Sequence, residues 1–344
     1  MDSLSQIALG AAVGYAVLGP TIGKRALLIG AATGTLPDLD VIVPYTDAVE
    51  SFTYHRSWSH SIFILTLLSW PLAWLLRRVT GLSSATKKQW WLAIWLILIT
   101  HPLLDAFTIY GTQIFWPLPL KPVAVGSIFI IDPLFTLPLI VACIIAWRRP
   151  FARAYRSVFT GLALSTFYLA WTVSTQYWTE KQVKQKLQDT SIDVQRMIVA
   201  PFPMTLLWRT VVLDENHYYE AFTSLLDDRQ QPLNLMQFNN GRASCTEAND
   251  SWAVQRMDWF TQGAIALSRQ DDELIVTDLR MGIEDNYVFR FSVGVWEDQQ
   301  YSNIISSVKP LQFDTTRIGS LIKRITDANV TVLSEDTEIQ QGCQ

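Results

Sequence analysis

Six apolar runs occupy the first half of the chain, at 4–20, 26–37, 58–76, 90–107, 128–147 and 154–177. The last four come close to the roughly 20 apolar residues needed to cross a bilayer core. The first two are shorter and rich in Gly and Ala, residues that let membrane helices approach closely. The pattern predicts an α-helical, multi-pass membrane domain of six hydrophobic segments, the first two short or re-entrant. Past residue 177 the period changes. A polar, helix-like stretch at 180–188 leads into runs at 207–213, 274–279 and 287–296 that are rich in β-branched and aromatic residues. Turn formers such as Asn239-Asn240-Gly241 separate them. A mostly β, α+β soluble C-terminal domain follows, closing with a helix near 318–326. The expected organisation is a membrane domain over 1–177, a linker helix over 178–195 and a soluble domain over 196–344.

Charge sharpens this division. Residues 1–177 carry 12 Lys and Arg against 7 Asp and Glu (+5), and residues 178–344 carry 15 against 24 (−9). The cations cluster between apolar runs: Lys24-Arg25, then Arg77, Arg78, Lys87 and Lys88, then Arg148, Arg149, Arg153 and Arg156. The positive-inside rule makes those loops cytoplasmic. The loops between them and everything after residue 177 are then extracytoplasmic, which in a Gram-negative cell is the periplasm. The expected location is the bacterial inner membrane. Trp58, Trp90, Trp91, Trp116, Trp147 and Trp178 fall near segment ends, as an interfacial aromatic belt does. No cationic n-region or small-residue cleavage site marks the N-terminus as a signal peptide. No basic patch or nucleic-acid motif stands out, so no nucleic-acid partner is expected. Of three cysteines, Cys143 sits in an apolar run, and Cys245 and Cys343 are the pair available for a disulfide.

Within the apolar half, a few ionisable residues stand out. The sequence has four histidines, and His55, His60 and His101 all lie in its first third. His101 and Asp105 share one helical face, one turn apart. With ideal helices, Asp38 lies about 20 Å from Arg25 and His101 about 20 Å from Lys88. His60 and Asp105 come out at about 25 Å from Arg77 and Lys88, and Asp132 at about 24 Å from Arg148. Four segments therefore place ionisable residues at one level of a core roughly 30 Å thick. Asp38, Asp40, His55, His60, His101, Asp105 and Asp132 make a thiolate-free nitrogen/oxygen set suited to Zn²⁺, Mn²⁺ or Fe²⁺. The ligand count leaves room for two ions. Ser59, Ser61, Thr108 and Arg56 are candidate supporting donors. Plainer readings exist for several of these: a helix-capping turn for Asp38 and Asp40, a Pro-first helix start for Asp132-Pro133. His217 reads as a surface residue, and Asp278 with Arg280 as a strand-to-turn ion pair.

The stretches MDSLSQIALGAAVG, GTLPDLD, HRSWSHS, HPLLDAFTIYGTQIFWP and SIFIIDPLFTLP span residues 1 to about 138. They make the chain resemble the YdjM/YbcI-like family of inner-membrane proteins, labelled metal-dependent hydrolases by inference, some of them described as LexA-binding. The downstream APFPMTLLWR and VTDLRMG are similar to a longer subfamily with a C-terminal soluble domain. The resemblance implies a metal site built from Asp38, Asp40, His55, His60, His101 and Asp105. Two departures from the family pattern are Gln6, where many members have histidine, and Ser57, where the pattern has glycine.

The first functional expectation is a membrane-embedded, metal-dependent hydrolase acting from the outer leaflet on a phosphoester or a lipid-linked substrate. His60, Asp105 and Arg56 form its expected catalytic set, with Zn or Mn as the cofactor. The alternatives are a non-catalytic, metal-stabilised envelope protein, with the acidic domain binding a protein partner, and a transporter of metal ions or solutes. Transport needs polar groups along a whole path, and the cytoplasmic halves of 58–76, 90–107 and 128–147 contain no Asp, Glu or His. LexA binding would need a cytoplasmic surface, where this topology leaves only short basic loops.

Overall fold

The computed structural model describes residues 1–344 except 203, 229, 249, 285, 298–299, 312–315, 334–342 and 344. In chain order the helices are α1 (Ser3–Ile22), α2 (Arg25–Gly34), α3 (Ala48–Tyr54), α4 (Ile62–Thr80), α5 (Lys87–Ala106), α6 (Pro133–Arg148) and α7 (Phe151–Leu187). Strands β1 (Arg196–Pro201), β2 (Leu207–Leu213), β3 (His217–Ser224) and β4 (Met236–Asn239) precede α8 (Trp252–Thr261). Strands β5 (Ile265–Gln270), β6 (Glu273–Asp278), β7 (Arg290–Glu297) and β8 (Gln300–Val308) and helix α9 (Thr316–Arg324) complete the described chain. Two compact units result, one of residues 1–43 with 54–173, the other of 44–53 with 174–344.

The first unit is helical and organised around α5, which packs on α1, α2 and α4. Its start is fixed by a capping box, with Thr86 accepting from the Gln89 backbone and Gln89 accepting from Thr86. Trp90, Ile94, Ile97 and Leu98 bury its apolar face. α1 and α2 pack through glycine. A Cβ on Gly10 would lie 2.4 Å from the Gly30 carbonyl oxygen, so the backbones meet where a side chain has no room. Asp132 caps α6 ahead of Pro133, and Ser61 caps α4.

Among the described residues three helices, α1, α4 and α7, are long and apolar enough to cross a membrane. The other three of the six expected segments fall outside that length and hydropathy. The run at 26–37 becomes a ten-residue helix, about 15 Å long, followed by a 3-10 turn over Pro37–Ile42. The run at 128–147 yields only the 16 residues of α6, because Asp132 ends an extended stretch. Residues 58–60 form a separate 3-10 turn before α4. The 20 residues of α5 include two lysines at one end and His101 with Asp105 at the other. Apolar runs count residues that avoid water, and several of these lie in turns and loops.

The second unit contains two four-stranded antiparallel sheets with strands in sequential order, β1-β2-β3-β4 and β5-β6-β7-β8. The runs expected at 207–213, 274–279 and 287–296 are β2, β6 and β7 with small boundary shifts. All seven residues of β2 are buried. Arg209 on β2 pairs with Glu220 on β3 at 2.5 Å, and Tyr287 donates to the same carboxylate, all three side chains being buried. Asp278 and Arg280 form a buried ion pair at 2.7 Å at the end of β6. Cys245 is disulfide-bonded to Cys343.

Residues 44–53 were expected in the membrane domain and belong to this unit instead. Asp47 accepts from the Ser306 backbone N–H and hydroxyl on β8. Phe52 packs among Phe260, Phe289 and Phe291 with ring centroids 4.6–5.2 Å apart. The boundary expected at 177 falls inside α7, which runs unbroken to Leu187 and takes in part of the expected linker.

Candidate metal centre

Asp38 comes from the 3-10 turn Pro37–Ile42 and His60 from the turn Trp58–His60, while His101 and Asp105 sit on the last turns of α5. One ligand atom from each lies within 4.8 Å of all the others. His101 Nε2 is 3.2 Å from Asp38 Oδ1, 3.2 Å from His60 Nε2 and 3.4 Å from Asp105 Oδ2. His60 Nε2 is 3.4 Å from Asp38 Oδ1 and 3.1 Å from Asp105 Oδ2. For ligand bonds of 2.0–2.2 Å, a tetrahedron has edges of about 3.3–3.6 Å and an octahedron adjacent edges of about 2.8–3.1 Å. The five spacings, 3.1–3.4 Å, run from the long octahedral edge to the short tetrahedral edge. Asp105 Oδ2 is buried without a hydrogen-bond partner, an unusual state for a carboxylate oxygen and the expected one for a metal ligand. The four residues fit a divalent ion.

Both imidazoles are held with Nε2 directed inward. His101 Nδ1 lies 2.7 Å from the Gly34 carbonyl, which can only accept, so Nδ1 carries a proton and the neutral ring presents its Nε2 lone pair inward. Ser59 donates its one hydroxyl proton to Asp40 at 2.6 Å, so it accepts from His60 Nδ1 at 2.9 Å. The neutral His60 ring likewise presents an unprotonated Nε2 to the centre. Asp105 Oδ1 accepts from Gln6 at 3.1 Å and from the Met1 amino group, and lies 3.4 Å from Arg56 Nη2. Those contacts engage Oδ1 and leave Oδ2 for the centre.

The expected site residues thus separate into layers. Asp38, His60, His101 and Asp105 converge. Asp40 and His55 stand one layer out, paired with each other at 2.8 Å, and Asp40 also accepts from the Arg56 backbone at 2.9 Å. Arg56 lies alongside, buried, with its guanidinium over the Tyr110 ring at 5.0 Å. Its φ of 62° puts the left-handed residue of this loop at Arg56 and not at Ser57, the position where the family pattern has glycine. Asp132 is outside the group: it accepts from Leu134 N at 3.0 Å and from the Tyr168 hydroxyl at 2.8 Å. The cap takes one of its oxygens and Tyr168 the other. Ser61 bonds the Trp116 carbonyl, and Thr108 bonds that of Asp105.

Sequence reasoning missed the Gly34 carbonyl, a backbone acceptor that leaves no trace in composition. It also missed Tyr110, although five residues after Asp105 it lies beside the motif. Gln6, noted as a departure from histidine, bonds the same carboxylate that a histidine there would face.

Apolar helices long enough to span a bilayer, with a buried Asp/His cluster at the C-terminal end of α5 and the turn before α4, define a helical membrane protein with a candidate metal centre. Comparison with known proteins specifies the group. Residues 1–179 match the YdjM inner membrane protein family, and the chain belongs to it. It is also similar to the uncharacterized protein YfhP of Bacillus subtilis (strain 168), 26% identical over 227 residues, which cover 64% of this chain and 67% of that protein. No solved structure matches.

Proposed function

We propose that the chain is a membrane-embedded, metal-dependent hydrolase whose centre lies in the outer leaflet and acts on a phosphoester or lipid-linked substrate. The observation that carries this reading is the unequal hold on the four donors. His60, His101 and Asp105 are each fixed by an outer partner and are at most 1% exposed. Asp38 is 23% exposed and lies against the two histidines. Three fixed donors with a looser fourth at the rim match catalytic sites, which keep three protein ligands and one exchangeable position. A divalent ion bound there supplies Lewis acidity and lowers the pKa of a coordinated water. Asp38, at the rim, is placed to hold or take a proton from that water, and Arg56 to steady an anionic oxygen.

Several observations support the orientation. The basic loops assign the loop between Asp40 and His55 and the chain after α7 to the same, extracytoplasmic side. Residues 44–53 are part of the second unit, which agrees with that assignment. The Cys245–Cys343 disulfide suits an oxidising compartment.

The convergence of four protein donors on one point favours a second reading, a closed ion that only fixes helix packing. Two variants separate them. In the hydrolase reading, Asp38→Asn keeps bound metal, by elemental analysis of the purified full chain, and loses cleavage of phosphodiesters or phospholipids. Asp105→Asn loses both. Under the structural reading both variants lose metal and thermal stability, and wild-type protein loaded with Zn²⁺ or Mn²⁺ turns over no ester in a wide panel. Equal flux of Zn²⁺ or Mn²⁺ into liposomes with and without His101 would remove transport as well.

A further inference from the structure

A groove of about 230 Å³ opens between α4 and α5 at the end opposite His101 and Asp105. Arg77, Arg78 and Lys87 line it together with Trp70, Trp74 and Trp91. The indoles form a fixed wall and an open rim. Trp91 donates to Ser69 at 3.1 Å on the inner side, while Trp70 and Trp74 are 69% and 55% exposed. Arg77 is held by its Nε, which donates to the Ala85 carbonyl at 3.4 Å, and Arg78 lies over the Trp74 ring at 5.7 Å. Among the described residues none of the three cations has a carboxylate partner, and residues 51–104 contain no Asp or Glu at all.

Three unneutralised cations at the end of a membrane helix pair, rimmed by exposed tryptophans, suit one chemistry: a phosphate head group with an acyl chain beside it. Indoles prefer the head-group level, and basic pockets between membrane helices bind anionic lipid heads. We infer that this groove is a binding site for an anionic glycerophospholipid, separate from the metal centre. The phosphate sits among Arg77, Arg78 and Lys87, and the upper acyl chain lies along Trp70 and Trp74. With three positive charges to satisfy, a two-phosphate head binds tighter than a one-phosphate head, and a zwitterionic one weakest.

The test uses purified, delipidated full chain in phosphatidylcholine nanodiscs, titrated with diphosphatidylglycerol, phosphatidylglycerol or further phosphatidylcholine. Lipid retention is read by native mass spectrometry, and contact with the groove by tryptophan quenching from brominated acyl chains. The expected order is two-phosphate, one-phosphate, zwitterionic. Arg77→Gln/Arg78→Gln/Lys87→Gln weakens the anionic lipids by about fivefold per charge removed. Arg148→Gln/Arg153→Gln/Arg156→Gln removes the same charge from exposed positions elsewhere and leaves binding as in wild type. Equal retention of all three lipids, or equal loss in both triple variants, overturns the site in favour of general surface charge. Should the first triple variant fail to fold, Lys87→Gln alone, exposed at the first residue of α5, must still weaken binding about fivefold.

Discussion

Ser59→Ala tests whether the candidate centre is held by the chain of contacts from Asp40 through Ser59 to His60. The hydroxyl lies 2.9 Å from His60 Nδ1 and 2.6 Å from Asp40 Oδ2. Without it, His60 Nδ1 and Asp40 Oδ2 remain 3.8 Å apart, beyond hydrogen-bond reach. The imidazole then loses the acceptor that keeps its proton on Nδ1, and the tautomer with a proton on the ligating Nε2 gains population. Removing an outer partner of a ligating histidine typically costs 10–100-fold in metal affinity, which corresponds to about 1.4–2.7 kcal/mol. Asp40 keeps the Arg56 backbone N–H and His55, so the loop is expected to stay folded. The assay is competition for Zn²⁺ or Mn²⁺ against a chromophoric chelator, with His60→Ala as the full loss. Wild-type affinity in Ser59→Ala beside lost affinity in His60→Ala would show that the contact does not orient the ligand. Unchanged metal stoichiometry in His60→Ala would refute the centre itself.

Phe52→Ala empties a buried position among three phenylalanines and is expected to destabilise the second unit by about 3–5 kcal/mol; an unaltered denaturant midpoint for that unit's near-UV signal would contradict the packing of 44–53. Gly10→Ala drives a methyl against the Gly30 carbonyl and is expected to cost about 1–3 kcal/mol or more in a detergent melt. Gly319→Ala on α9, where nothing lies within 4 Å, is its neutral counterpart. Tyr218 and Tyr287 have hydroxyls pushed well above the usual tyrosine range, by burial first and then by Glu284 and Glu220 respectively. Folded protein keeps protons that the unfolded chain releases, so their contribution is complete below about pH 10 and declines as pH rises past it. Urea midpoints between pH 8 and 12 should fall more steeply in wild type than in Tyr218→Phe/Tyr287→Phe; parallel curves would count against this.

Legibility differed by the kind of signal involved. The strands β2, β6 and β7 are written in consecutive β-branched and aromatic residues, because both faces are buried and nothing else competes for them. His101 and Asp105 are legible as well, since two polar residues four apart in an apolar helix have few other uses. The division between Asp38 and Asp40 is not. Both occupy one turn, and which carboxylate faces His60 and which faces Ser59 is decided by the path of Pro37–Ile42. Asp132 fits the depth arithmetic and still serves as a cap, because depth fixes a level and not a direction around the helix. Residues 44–53 carry no marker of their destination: Phe52 and Asp47 suit any apolar pocket and any hydroxyl until Phe260 and Ser306 supply them from over 200 positions away.

Arg56 joins the local backbone to the chemistry. Its left-handed φ of 62° is uncommon for a residue with a long side chain and costs energy that its neighbours must offset. They do so from both sides: its N–H donates to Asp40 and its carbonyl accepts from Gln113 N, both at 2.9 Å. The guanidinium is buried, 3.4 Å from both Asp105 and Thr108, and its Nε has no partner. A buried cation with an unmade hydrogen bond is unfavourable on its own terms. Strain in the backbone and an unsatisfied donor in the side chain therefore meet at one residue, beside a carboxylate whose other oxygen is one of the four donors. Folding alone accounts for neither. An anionic oxygen reaching Nε would complete that contact and compensate the cost, which supports the role proposed for Arg56 in steadying an anionic group.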